Sequence, residues 1–108
     1  MNNSLSTHVL DAVTGTPAVG VAVTLADVSG VVVAGAQTDD DGRVKALAAD
    51  LATGVYRLHF DTGSYFAATD VSAFYPEVVI AFEVTDQTGH YHVPLLLSPY
   101  AYSTYRGS

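Results

Sequence analysis

Along most of the chain, apolar side chains recur at every second position, the period of strands with one buried face. Val19, Val21, Val23 and Leu25 alternate with Gly20, Ala22, Thr24 and Ala26, and Val78, Ile80, Phe82 and Val84 alternate with Glu77, Val79, Ala81 and Glu83. Tyr56, Leu58 and Phe60 face one way while Arg57 and His59 face the other. Turn formers separate the runs, as in Thr14-Gly15-Thr16-Pro17, Ser29-Gly30, Asp39-Asp40-Asp41-Gly42, Thr53-Gly54 and Asp86-Gln87-Thr88-Gly89. The pattern predicts eight strands, near residues 5–12, 19–27, 31–37, 43–47, 55–60, 77–84, 90–97 and 101–106. One short helix is expected around Ser64 to Thr69, with Thr62 or Ser64 as its cap. Eight short strands at this spacing read as an all-β, eight-stranded antiparallel β-sandwich, in a single domain over residues 1–108.

Composition narrows the partners. Hydrophobic residues make up 49% of the chain and charged residues only 14%, so the sandwich carries more apolar surface than one small core hides, and an oligomer is expected to cover it. The formal net charge of -7 argues against nucleic acid, which needs a basic face. Positive charge rests on Arg43, Lys45, Arg57 and Arg106 alone, so any anion site must draw on these four. There are no cysteines, hence no disulfide or thiolate metal site. No apolar run approaches the ~18 residues of a membrane span. The opening residues lack a signal-peptide pattern and the closing ones a Ser-Lys-Leu ending, so the cytoplasm is the expected location.

Chemistry-bearing residues concentrate in the closing stretch, from His90-Tyr91-His92-Val93-Pro94 to Tyr105-Arg106-Gly107-Ser108. Strand-like patterning persists almost to the last residue, where chains usually fray. Period two groups His8 with Ser6 and Leu10 on an early strand, and His92 with His90, Pro94 and Leu96 on a late one. Histidine suits proton transfer near neutrality, and the planar fork of arginine suits an oxygen-rich ring. His90-x-His92 with His8 also has the makings of a three-nitrogen zinc site, a pattern common by chance. The aspartates before Arg43 read as a solvated turn, and His59 as a surface residue.

Three segments resemble the transthyretin-related family in its enzyme branch, the 5-hydroxyisourate hydrolases. They are Ser6-Thr7-His8-Val9-Leu10-Asp11 with Gly15-Thr16-Pro17-Ala18, then Asp41-Gly42-Arg43, and the closing stretch with its Tyr105-Arg106-Gly107-Ser108 tetrapeptide. The tetrapeptide separates the enzymes from the hormone carriers of the same fold. The resemblance spans essentially the whole chain. It implies a transthyretin-like (prealbumin-like) sandwich of two sheets, with a helix between the fifth and sixth strands. It also implies a homotetramer, a dimer of dimers, with sites along a central channel.

The implied reaction is hydrolytic opening of a ring amide of 5-hydroxyisourate, a purine-derived small molecule of urate degradation, without metal or other cofactor. By the same resemblance His8 and His92 activate water and transfer protons, Arg43 polarises the substrate and supports the oxyanion, and Ser108 orients water, substrate or a histidine. Tyr105, Arg106 and Gly107 contact the substrate, with Tyr105 narrowing the channel; Arg106 has the alternative of pairing with a carboxylate and holding the terminus in place. His90 is expected at the periphery.

Overall fold

The structure is a computed structural model that describes residues 2–108. Among the described residues, nine strands and one helix follow in chain order. The strands are β1 (Asn3–Asp11), β2 (Thr16–Pro17), β3 (Ala22–Asp27), β4 (Val32–Gln37) and β5 (Arg43–Ala49), then β6 (Gly54–Phe60), β7 (Val78–Val84), β8 (Gly89–Ser98) and β9 (Ala101–Thr104). Helix α1 (Thr62–Ala68) lies between β6 and β7.

Two sheets face each other as the two-residue period requires. The first has the order β2-β1-β8-β9, with β5 also paired to β1, and the second the order β4-β3-β6-β7. One edge of β1 is taken by β8 over its full length; the other is shared by β5, from Ser4 to His8, and β2, at Leu10 and Asp11. Inward-facing side chains from both sheets make one core, led by Leu5, Val9, Val23, Leu25, Leu58, Phe60 and Leu95, each with no exposed surface. The alternation of Tyr56, Leu58 and Phe60 inward against Arg57 outward is as the sequence indicates.

The strand set departs from expectation in detail. The pair β1–β8 is parallel, from Asn3↔Gly89 to Asp11↔Leu97, in an otherwise antiparallel sandwich. Parallel neighbours need a long crossover, and the entire second sheet with α1 supplies it. β1 begins at the polar Asn3, whose buried amide donates to the Leu51 carbonyl at 2.8 Å and accepts from the Leu51 N–H at 2.7 Å. β3 starts at Ala22 rather than Val19, because Gly20 turns the chain at φ +79° and leaves Val19 exposed.

Helix α1 is capped by Asp61 rather than by Thr62 or Ser64. The Asp61 carboxylate accepts from the Ser64 N–H at 3.2 Å and from the Ser64 hydroxyl at 2.8 Å.

The closing strand ends at Thr104 instead of continuing to 106. In the β8–β9 register the next position on β8 is Pro94, which has no N–H to give. Its carbonyl accepts instead from the Thr104 hydroxyl at 2.7 Å. Pairing resumes in the same register two residues further on, at an isolated His92↔Gly107 bridge.

Candidate active site

The outward face of the first sheet carries the candidate chemistry. Parallel pairing of β1 with β8 sets Ser4 beside His90, Ser6 beside His92 and His8 beside Pro94. Antiparallel pairing with β5 sets His8 opposite Arg43. His8, Arg43 and His92 therefore lie on adjoining strands of one sheet, and all three are half-buried.

The β5 turn explains why Arg43 stands where it does. Asp39 accepts hydrogen bonds on its carboxylate from the N–H groups of Asp41 (2.9 Å) and Arg43 (3.0 Å), the latter being the main reason its carboxyl sits below the usual range. Gly42 adopts φ +72°, and a β-carbon there would collide with the Val9 carbonyl. The Gly42 carbonyl accepts from the Val9 N–H at 2.7 Å. The aspartates are exposed, as read from sequence, but they also organise the turn. Through it, the Asp41 carbonyl meets Nε2 of His8 at 2.9 Å.

A carbonyl oxygen only accepts, so this contact requires the His8 proton on Nε2 and leaves Nδ1 as the lone-pair nitrogen. His92 is turned the other way. Its Nδ1 is hydrogen-bonded to the Ser6 hydroxyl at 2.7 Å, leaving Nε2 for a ligand. Burial first, then the positive charge of Arg43, with smaller electrostatic contributions from the neighbouring His90 and His8, holds the His92 pKa below the ordinary 6.5, offset in part by hydrogen bonding to Ser6. Near neutrality His92 is therefore uncharged and able to accept a proton.

His90 is exposed but engaged. Its Nε2 is hydrogen-bonded to Ser6 at 2.8 Å, its Nδ1 to Ser4 at 2.6 Å, and its ring lies nearly parallel to that of His92, with centroids 6.2 Å apart. Sequence reasoning put His90 at the periphery and gave Ser4 and Ser6 no role. The available signal was parity, since all three share their strand's face with a candidate histidine. Among the described residues, no group of three or more histidine, cysteine or acidic side chains is placed to hold a metal ion.

The last residues fold onto β8. The Gly107 N–H donates to the His92 carbonyl at 2.9 Å, and a β-carbon on Gly107 would overlap the His92 ring. Arg106 lies on the other side of this segment, its guanidinium 4.6 Å from the centroid of the Tyr91 ring. The Tyr91 hydroxyl in turn accepts from the N–H groups of Thr85 and Asp86. Arg106 thus rests on a ring that is itself tied to the β7–β8 connection, rather than pairing with a carboxylate. A cavity of about 310 Å³ opens between this segment and β7, bounded by Ile80, Phe82, Tyr91, His92, Tyr105 and Arg106. Tyr105 stands at its rim, 60% exposed. Ser108, next to Gly107, is exposed.

Known proteins share both sequence and fold with this chain. A 5-hydroxyisourate hydrolase of Salmonella dublin is 48% identical over 112 residues, covering 99% of this chain and 82% of the relative. The structure of Klebsiella pneumoniae 5-hydroxyisourate hydrolase superposes with a TM-score of 0.91 at 40% identity, covering 97% of this chain and 99% of the other. Sea bream transthyretin in complex with thyroxine gives a TM-score of 0.90 at 32% identity, covering 96% of this chain and 94% of the other. Residues 5–107 match the family model described as the HIUase/Transthyretin family, and with the two-sheet sandwich this establishes that the chain belongs to that family.

Proposed function

We propose that this chain is a hydrolase that opens a ring amide of 5-hydroxyisourate, giving 2-oxo-4-hydroxy-4-carboxy-5-ureidoimidazoline. The observation that carries the reading is the meeting of His8, Arg43 and His92 on neighbouring strands, with complementary ring nitrogens left open. Addition of water to an amide carbonyl needs a base for the water, a counter-charge for the oxyanion and an acid for the leaving nitrogen. His92 takes a water proton on Nε2 as the water oxygen bonds to the carbonyl carbon. Arg43 faces the oxygen that becomes negative. Collapse of the tetrahedral species breaks the C–N bond, and the proton on His92 Nε2 passes to the departing ring nitrogen. His8 accepts a ring N–H through Nδ1, fixing the substrate plane, while Tyr105 and Ser108 border the site. The substrate, and with it a place in purine degradation, comes from the named relatives.

The site lies on the open face of one sheet, so a second copy over that face completes a channel, and we propose a homotetramer built as a dimer of dimers. Two further features support it: β7 and β9 each end a sheet with one unpaired edge, and both carry exposed large side chains, Val79 and Tyr102. Sedimentation should give four copies per particle; a monomer at micromolar concentration would contradict the assembly.

The test of activity is the loss of ultraviolet absorbance of freshly generated 5-hydroxyisourate. Disappearance well above the buffer rate supports the reading, and a rate equal to buffer overturns it. Tight thyroxine binding without turnover would place the chain functionally with its carrier relative instead.

A further inference from the structure

Four side chains form an unbroken hydrogen-bonded row on the outward face of the first sheet. From one end, Ser4 Oγ meets His90 Nδ1 at 2.6 Å, His90 Nε2 meets Ser6 Oγ at 2.8 Å, and Ser6 Oγ meets His92 Nδ1 at 2.7 Å. The parallel register creates it, since Ser4 faces His90 and Ser6 faces His92. Ser6 is 6% exposed and sits between the two rings, while His90 is open to solvent.

The donor inventory of the row permits two arrangements only. A hydroxyl has one hydrogen to donate, and a neutral imidazole has one N–H and one lone pair. If Ser6 donates to His90 Nε2, then His92 must donate its Nδ1–H to Ser6, and His92 Nε2 is bare. His90 then carries its hydrogen on Nδ1 and donates it to Ser4. If Ser6 donates instead to His92 Nδ1, every bond reverses and His92 carries its hydrogen on Nε2. Both arrangements keep three hydrogen bonds, so neither is favoured by bond count.

We infer that Ser4, His90 and Ser6 form a reversible relay that sets which nitrogen of His92 holds its proton, making them positioning residues for the proposed hydrolysis. The first arrangement presents His92 as a base, the second as an acid. Passage between them is balanced atom by atom. A proton arriving on His92 Nε2 releases the Nδ1 proton to Ser6, Ser6 releases its own to His90 Nε2, and His90 releases the Nδ1 proton to Ser4. The original Ser4 hydroxyl proton leaves to solvent. The charge delivered to His92 is thereby discharged away from Arg43, the cation on β5 that opposes it.

The inference rests on the hydrolase reading, and the test separates the two. Imidazole nitrogen NMR on the intact protein should show His90 and His92 titrating as a coupled pair, and Ser6→Ala should uncouple them. In turnover, Ser6→Ala should lower kcat by about tenfold to a hundredfold with KM little changed, less than the roughly 10²–10⁴ of a whole general base. Ser6→Thr, which keeps the hydroxyl, should recover most of the rate. Rates in mixed light and heavy water should depend on more than one proton in the parent protein and on one in Ser6→Ala. Should Ser6→Ala fold poorly, His90→Gln interrupts the row while Ser6 stays, and the same loss of multi-proton dependence is expected. Superimposable His92 titrations in parent and variant, or a Thr variant no better than Ala, would overturn the relay. A parent protein without turnover but with coupled titration would instead sink the hydrolase reading.

Discussion

Gly107 leaves no room for a β-carbon beside the imidazole of His92, while its N–H donates to the His92 carbonyl at 2.9 Å. Its backbone is not in the left-handed region, so glycine is required there by lack of room and not by its dihedral angle. Any side chain would push the ring from its hydrogen bond to Ser6. Gly107→Ala should therefore lower kcat/KM by roughly tenfold to a hundredfold, a part of the ~10²–10⁴ general-base contribution, with the far-ultraviolet spectrum unchanged. An Ala variant with parental kinetics would show that the ring tolerates the displacement.

Truncation of His92 itself should cost more. His92→Ala removes the group proposed to accept and return the proton, and turnover should fall by about two to four orders of magnitude. Steady-state rates on fresh 5-hydroxyisourate check this; a loss below tenfold would move the base elsewhere.

The pH response of His92 has a definite sign. Burial, and then the charge of Arg43 with smaller electrostatic contributions from His90 and His8, lowers its pKa in the folded protein, so the neutral base survives on the acid side of 6.5. The acid limb of kcat/KM should accordingly have its midpoint below 6.5. Stability follows by linkage: as pH falls below 6.5 the unfolded chain protonates this histidine first, and stability is lost from there down to the folded value. Arg43→Gln removes one opposing charge and should raise the His92 value in an NMR titration. An unchanged or lower value would remove Arg43 from the list of causes.

Arg106 offers a chemical distinction. A bidentate grip on substrate needs the guanidinium fork, whereas the contact with the Tyr91 face, 4.6 Å away, needs mainly a cation. Arg106→Lys should retain much of the activity that Arg106→Ala loses. Equal losses in both variants would favour direct contact with the substrate.

Away from the site, Tyr65 on α1 donates its hydroxyl to the buried Asp11 carboxylate at 2.8 Å. Burial, followed by the hydrogen bond and charge of Asp11, pushes the Tyr65 pKa up to about 12. Its contribution is complete below about 10, the ordinary phenol value, and should fade as pH rises from there towards 12. Tyr65→Phe should cost about 1.5–3 kcal/mol, the range for hydrogen bonds to charged groups, read by urea denaturation at pH 7. The Val13 and Thr14 N–H groups still serve Asp11, so the helix should stay docked.

Local periodicity made the two faces of each strand legible, because burial acts residue by residue. Tyr56, Leu58 and Phe60 went inward as the alternation required. Period two also put Ser6 with His8 and His90 with His92 before any pairing was known. What it could not carry was which strands adjoin and in which direction. The parallel match of Ser4 with His90 joins segments 86 residues apart, and no local signal encodes it. Asn3 was missed as strand because an amide reads as polar, although the loops at Leu51 and Asp86 satisfy it inside the fold. The convergence of His8, Arg43 and His92 came from family resemblance; the serine links between the histidines did not, since a serine on a strand is ordinary.

The side-by-side course of β1 and β8 has a consequence for biogenesis. During synthesis β1 leaves the ribosome with its β8-facing edge bare, and its mate there is translated only later, Ser4 and His90 lying 86 residues apart. Until then β1 can pair only along its other edge, with β2 and β5, and the set of candidate reactive groups lacks His92. Ring-opening competence should switch on late and all at once, and nascent chains stalled before Gly89 should be sticky and inert.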